Sequence, residues 1–224
     1  MPRLAIVLSH PVQYYSPWFR WLRAHTPLEF RVFYLWDFGA NTRRDPQFGT
    51  TFQWDVDLVA GYDSEFVPNV ARDPGTHHFG GLANPTLTAR LAAWRPGALL
   101  LFGYNWRSHQ RALWWARWHG VPLLFRGDSH LLGRARLPLW RRLLLRFLYR
   151  QFTALTYVGA ANHDYFRALG VPEKKLFFAP HSVNAEHFNP SAPAARAAAD
   201  KLRAELGLAG KRVVLFAGKF TAAK

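Results

Sequence analysis

A chain of 224 residues, half of them hydrophobic, has apolar mass for a substantial core, one domain and part of a second, and is too apolar for disorder. It contains no cysteine, which excludes disulfides, zinc–thiolate centres and thiol nucleophiles and suits a reducing cytoplasm. The net charge of +15 is unevenly spread: between Asp73 and Asp164 the only acid is Asp128, against twelve arginines and no lysine, a field that attracts phosphate in nucleic acid, lipid headgroups or an acidic substrate.

The opening segment, Met1 to Leu8, is apolar, but His10 and Pro11 end it too early for a secretory signal, so it reads as a first core strand of a cytoplasmic protein. No apolar run reaches the roughly 18–20 residues that span a bilayer. Leu4 to Ser9 has the unbroken apolar pattern of a parallel strand covered on both faces. Ser16-Pro17 predicts a helix cap with a first-turn proline, and Phe30 to Trp36 a second strand. Residues 38–83 hold scattered Gly, Pro and Asp with short alternating pieces at Phe52–Leu58 and Glu65–Val67, a long irregular stretch of the kind that often serves function.

Regular alternation resumes at Asn84-Pro85, a second cap-plus-proline start for a helix to Trp94. Strands follow at Ala98–Phe102, Val121–Phe125, Ala154–Val158 and Leu176–Phe178, with helices at Trp106–His119, Leu137–Gln151 and Asn162–Leu169 between them. Strands separated by helices of 10–15 residues predict a doubly wound, mostly parallel, Rossmann-like α/β sheet. A linker over 180–193 divides a domain at 1–179 from a further helix, opened by Ser191-Pro193 and closed by Gly207. The chain then ends one strand into a second domain, 194–224, where Val213 to Ala217 run into Gly218 and Lys219, followed by Lys224. A strand, a glycine turn and two lysines make the start of an anion site.

Ligands of open parallel sheets sit beyond the carboxyl ends of the strands, which selects four loops. These are Ser9 to Tyr14 with His10 and Gln13, Gly103-Tyr104-Asn105 with Trp106, Arg126-Gly127-Asp128-Ser129-His130, and Gly159 to Asn162. Asp128, the lone carboxylate of a basic stretch, either deprotonates an acceptor hydroxyl or orients His130, or else pairs with Arg126 or caps its turn. Asp55-Val56-Asp57 has the look of a paired-aspartate metal motif but is short and lies outside the main βα order; His77-His78 lacks helical ligand spacing and any nearby carboxylate partner. No metal site is therefore expected. The segment Arg134–Gln151 carries six arginines and no acid, with Trp140, Leu144, Phe147 and Leu148 on an apolar side. It fits either a sheet-covering helix with a solvated face or a helix lying on an anionic membrane.

The segment Phe177-Phe178-Ala179-Pro180-His181-Ser182-Val183-Asn184-Ala185-Glu186-His187-Phe188 resembles the interdomain hinge of family-4-like GT-B glycosyltransferases. Thr156-Tyr157-Val158-Gly159, Tyr165-Phe166 and Leu169-Gly170-Val171-Pro172 resemble the elements preceding that hinge. Phe216-Ala217-Gly218-Lys219 with Lys224 resembles the start of the donor-binding domain. The match departs from the family at His181, Asn184 and Lys219, which keeps the charge of an arginine but not its planar fork. The resemblance implies the acceptor-side half of a metal-independent enzyme that moves a sugar from a nucleotide-diphosphate sugar to a glycan or lipid-linked acceptor, with retention and without a cofactor. Cell-surface glycan or glycolipid synthesis, on the inner face of the membrane, is the setting it implies.

In that reading Asp128 and His130 are catalytic, and His10, Gln13, Tyr14, Gly103, Tyr104, Asn105, Arg126 and Ser129 face the acceptor. Gly218, Lys219 and Lys224 grip the donor diphosphate, and this half alone is inactive. The rival from composition is a basic α/β module binding nucleic acid through its arginines and aromatic residues, although the arginines are scattered and no nucleic-acid motif is present.

Overall fold

The computed structural model describes residues 3–40, 43–44, 51–52, 57–132, 137–185, 187–189 and 191–215. The chain divides into two compact units, Met1–Val183 and Asn184–Lys224. The first contains β1 (Arg3–Leu8), α1 (Ser16–His25), β2 (Glu29–Tyr34), β3 (Arg43–Arg44), β4 (Thr51–Phe52), β5 (Ser64–Phe66), α2 (Leu87–Trp94) and β6 (Ala98–Phe102). It continues through α3 (Arg107–Trp118), β7 (Leu123–Arg126), α4 (Leu139–Arg150), β8 (Ala154–Tyr157), α5 (Ala160–Ala168) and β9 (Leu176–Phe178).

Seven strands form one sheet in the order β5-β2-β1-β6-β7-β8-β9, and every neighbouring pair is parallel. β3 and β4 make a separate antiparallel pair. The strand order reverses at β1, which lies between β2 and β6, so the switch point falls between the loops that follow β1 and β6.

Both faces of the sheet are covered, which is why the central strands need no polar alternation. Ala5 and Val7 of β1 point into the larger core with Leu99, Leu101, Phe125 and Leu155, packed by Leu91, Leu113, Leu148 and Phe166 of the helices. Ile6 and Leu8 point the other way, onto Phe19 of α1 with Val32, Tyr34 and Leu100. Each such side chain contributes about 1.5–3 kcal/mol by leaving water, so the two layers together fix the sheet.

Three local expectations give way to longer-range chemistry. Ser16 is not a cap: it is already helical and buried, its hydroxyl donates to the Val12 carbonyl at 3.3 Å, and the helix is preceded by Tyr15 with no side-chain cap bond. Asn84 does not cap α2 either, because its amide donates to the carbonyls of Leu35 (3.0 Å) and Val67 (2.7 Å). On α4, Leu145, Leu148 and Tyr149 fill the core, whereas Trp140, Leu144 and Phe147 are turned to solvent. The expected apolar side was therefore the wrong one for all but Leu148; the helix has two apolar faces, and periodicity does not say which packs.

The second unit holds α6 (Pro193–Glu205), with proline in its first turn and Gly207 at φ +62° just beyond its end. Val213–Leu215, the described part of the expected buried strand, is exposed and in no ladder. A parallel strand is stable only when neighbours take its backbone groups and both its faces.

Candidate functional site

The loops beyond β1, β6, β7 and β9 converge at the carboxyl edge of the sheet. Arg126, the last residue of β7, organises them. It is 5% exposed, and its guanidinium donates to the carbonyls of Ala179 (2.8 Å) and Pro180 (3.2 Å) just past β9. The same cation lies 5.7 Å from the Tyr15 ring centre, 5.6 Å from Trp18 and 6.0 Å from Phe102. Its backbone carbonyl accepts from the N–H of Gly103, whose φ of +89° admits the tight turn after β6. A cavity of about 260 Å³ opens against this residue, lined by Tyr15, Trp18, Arg126, Ala179, Pro180 and Ser182. Arg126 thus positions the walls and presents a charge at their base, rather than standing free in the cleft.

Around it stand polar groups with shifted acidities. Tyr14 packs edge-on against His181 at 5.5 Å, and Tyr15 lies 6.2 Å from the same ring. Burial raises both phenols, that of Tyr15 to about 12; the nearby Asp128 carboxylate also raises both, while Arg126 opposes it. Asp128 itself is exposed, with no ion pair or hydrogen bond to its carboxylate among the described residues. The alternative that it pairs with Arg126 is not met, because that guanidinium donates to the two carbonyls.

The backbone beside Asp128 is held from a distance. Asn162 at the start of α5 is buried, donates to the Ser129 carbonyl at 2.7 Å and accepts from the Val158 N–H at 3.1 Å. Ser129 and His130 are exposed on that anchored loop.

His10 occupies a separate slot after β1. Its Nδ1 lies 2.9 Å from the Ser9 hydroxyl, and the rings of Trp36 and Phe38 meet it edge-on at 5.9 and 5.7 Å. Burial lowers its pKa to about 4, so at neutral pH it is an uncharged imidazole able to accept a proton or a hydrogen bond. Gln13 and Asn105 are exposed at the same edge of the sheet. Tyr104 differs: its ring packs on Phe125 and Tyr149, and burial, reinforced by Tyr165, pushes its hydroxyl up to about 12. It belongs to the core wall more than to the opening. Gly218, Lys219 and Lys224, like Asp55, Arg134 and Arg136, lie outside the described residues.

Tyr15, Trp18, Trp36 and Phe38 carry much of this geometry yet drew no functional role from the sequence, whereas Asn162 closes the fourth of the selected loops. Only the aromatics' place within four residues of a strand or helix end marked them.

Of the two metal-like motifs, only the histidine pair departs from its sequence reading. The Asp57 carboxylate accepts from the N–H groups of Val59 (2.9 Å) and Ala60 (3.0 Å), holding a turn. His77 and His78 do have a carboxylate partner, contrary to expectation. Asp73 Oδ2 lies 2.9 Å from His77 Nε2 and 3.5 Å from His78 Nε2, the one group of metal-ligand spacing among the described residues. A non-helical loop brings them together, folded back at Gly75 and Gly81. All three are exposed, and His78 also bonds the Asp73 carbonyl at 3.0 Å, so the group closes its own loop.

No protein-family model matches the sequence, and no curated protein matches it. Its fold does match solved structures. Anabaena HepE, solved with UDP and glucose, is 13% identical with a TM-score of 0.57, over 92% of this chain and 50% of that one. HepE solved with UDP-glucose is 11% identical with the same TM-score, over 96% and 54%. UDP-N-acetylglucosamine 2-epimerase from Rickettsia bellii is 12% identical with a TM-score of 0.53, over 93% and 52%. The chain spans about half the length of these structures, and the likeness, together with the seven-stranded parallel sheet, establishes an α/β Rossmann-like fold of the GT-B type.

Proposed function

We propose that this chain is the acceptor-side half of a glycosyltransferase that moves a sugar from a nucleotide-diphosphate sugar to a glycan or lipid-linked acceptor. The observation that carries the reading is what the switch-point edge presents: a neutral His10 in an aromatic slot and, separately, an exposed Asp128 whose carboxylate has no ion pair or hydrogen bond among the described residues and raises the phenols of Tyr14 and Tyr15. Such a pair suits hydroxyl chemistry. The Asp128 carboxylate, or His130 on the same loop, takes the acceptor proton; His10 accepts a hydrogen bond from a neighbouring hydroxyl; the exposed tyrosine ring of Tyr14 gives a sugar ring a flat apolar wall. The solved likenesses with UDP and UDP-glucose support the nucleotide-sugar class.

The finer features of the proposal are a metal-independent, cofactor-free, retaining reaction on the cytoplasmic side, in cell-surface glycan synthesis. Gly218, Lys219 and Lys224 take the donor diphosphate, and its leaving charge falls to these lysines. This half by itself turns over nothing.

The test is twofold. UDP release from UDP-glucose by the 224-residue chain, with candidate glycans present, stays at background, whereas turnover in the usual enzyme range of about 1–10³ s⁻¹ overturns the half-enzyme reading. Titration with short glycans gives saturable binding that Asp128→Asn and His10→Ala each weaken and that added EDTA leaves unchanged. Salt-steep, sequence-independent affinity for single-stranded DNA with no response to glycans or sugar nucleotides would replace this reading with the nucleic-acid module.

A further inference from the structure

The side of α4 turned away from the core is apolar as well as basic. Leu139, Trp140, Leu143, Leu144 and Phe147 are 54–69% exposed and recur at i, i+1, i+4, i+5 and i+8, one stripe along the helix. The stripe continues onto α3: the Trp114 ring lies 6.2 Å from Phe147, and Trp118, one turn further, is 85% exposed. Exposed arginines flank it, Arg141, Arg142 and Arg150 on α4 and Arg107, Arg111 and Arg117 on α3, and neither helix contains an acid. Single exposed apolar residues are ordinary, but a contiguous patch with three tryptophans marks a surface made to be covered.

Charge decides what covers it. A second copy of the chain would bring the same arginines against these. A nucleic acid would answer the guanidinium groups and could stack on tryptophan, but offers nothing to three leucines and a phenylalanine in a row. An anionic bilayer answers both, with phosphates for arginine, acyl chains for leucine and phenylalanine, and the interfacial layer for tryptophan. We propose that the α3–α4 face docks on an anionic lipid bilayer, with α4 lying along the headgroup–acyl boundary. No helix among the described residues is long and apolar enough to cross a membrane, so the contact is made from one side. This inference does not rest on the sugar-transfer reading.

The test is co-sedimentation of the 224-residue chain with vesicles of phosphatidylcholine alone or mixed with phosphatidylglycerol. The chain is expected to pellet with the mixed vesicles, with blue-shifted tryptophan emission, and to bind neutral vesicles at least tenfold more weakly. Raised salt should erode the difference. Trp140→Ser with Phe147→Ser should lower partitioning about tenfold or more while circular dichroism and melting change little, since both side chains are more than half exposed. Arg141→Gln with Arg142→Gln and Arg150→Gln should narrow the gap between mixed and neutral vesicles. The proposal is overturned by absence of pelleting or by undiminished partitioning of the serine variant. It is equally overturned if that variant instead loses self-association in sedimentation equilibrium or loses oligonucleotide binding.

Discussion

Replacing Asn84 with leucine tests whether one buried amide holds the base of the site. Its side chain is fully buried; it donates to the Leu35 and Val67 carbonyls and its oxygen accepts from the Ser108 hydroxyl at 2.9 Å. Those partners stand just after β2, just after β5 and at the start of α3, so one residue ties three approaches to the switch-point edge, next to Trp36 of the His10 slot. Leucine conserves volume but orphans two carbonyls that burial keeps from water. At about 1–3 kcal/mol for each unsatisfied group the cost is roughly 2–6 kcal/mol, against a total stability of about 5–15 kcal/mol. Ser108 adds little, because its hydroxyl also reaches the Leu82 carbonyl at 2.9 Å. For a unit of this size the midpoint should fall by roughly 5–20 °C in thermal melts followed by circular dichroism. Ser108→Ala should cost about 1 kcal/mol, and the double variant should show a coupling above about 0.5 kcal/mol. A leucine variant within about 1 kcal/mol of the parent, or strict additivity with Ser108→Ala, would refute the network.

Three further outcomes follow from geometry already described. His10 and His109 are held neutral by burial, with pKa values lowered to about 4 and about 3. The unfolded chain binds protons at these residues below its ordinary pKa of about 6.5 while the folded chain does not, so stability present above that pH is lost as pH falls towards 4 and 3. The slope is up to about 1.4 kcal/mol per pH unit for each histidine. Urea melts between pH 7 and 4.5 should show the decline, and His109→Leu should flatten it; parallel declines in parent and variant would contradict the assignment. Asn162→Ala should cost about 1–3 kcal/mol and speed amide exchange at Val158 and in 127–130, an idea abandoned if exchange there is unchanged. Gly81→Ala places a methyl 2.2 Å from the Gly75 carbonyl oxygen, whereas Gly75→Ala meets only the swinging His77 ring. The first should therefore destabilise by about 1–3 kcal/mol and by more than the second, and the reverse order in denaturant melts would refute the loop packing.

The sheet was legible because strands covered on both faces write themselves as unbroken apolar runs, as Leu4 to Ser9 and Ala98 to Phe102 do. The loops at strand ends were legible for the same reason. Partner choice was not. Ser16 and Asn84 have the composition of caps, yet the deciding partner of Asn84 lies 49 residues away in the chain. Arg126 read as an acceptor-facing residue or as the partner of Asp128, but its partners at Ala179 and Pro180 come from beyond another strand. The meeting of Asp73 with His77 and His78 depends on a folded-back loop with no helix to announce it, although Asp73 and His77 are four residues apart. On α4 the period picked out the side of Trp140, Leu144 and Phe147, but the sheet underneath takes Leu145, Leu148 and Tyr149 instead.

The two margins of the sheet are unequal in a way that bears on misassembly. Both edge strands have only three residues, which leaves few free backbone groups to recruit another chain. At β5 the middle residue, Glu65, is paired with Arg90 and lies 3.8 Å from Arg31, so an incoming strand would have to strip a charged lattice. At β9 the last two residues are the exposed Phe177 and Phe178, and among the described residues no ion pair protects that edge. Crowded refolding should nucleate on the β9 margin, where a charge at position 177 would supply the protection that β5 already has.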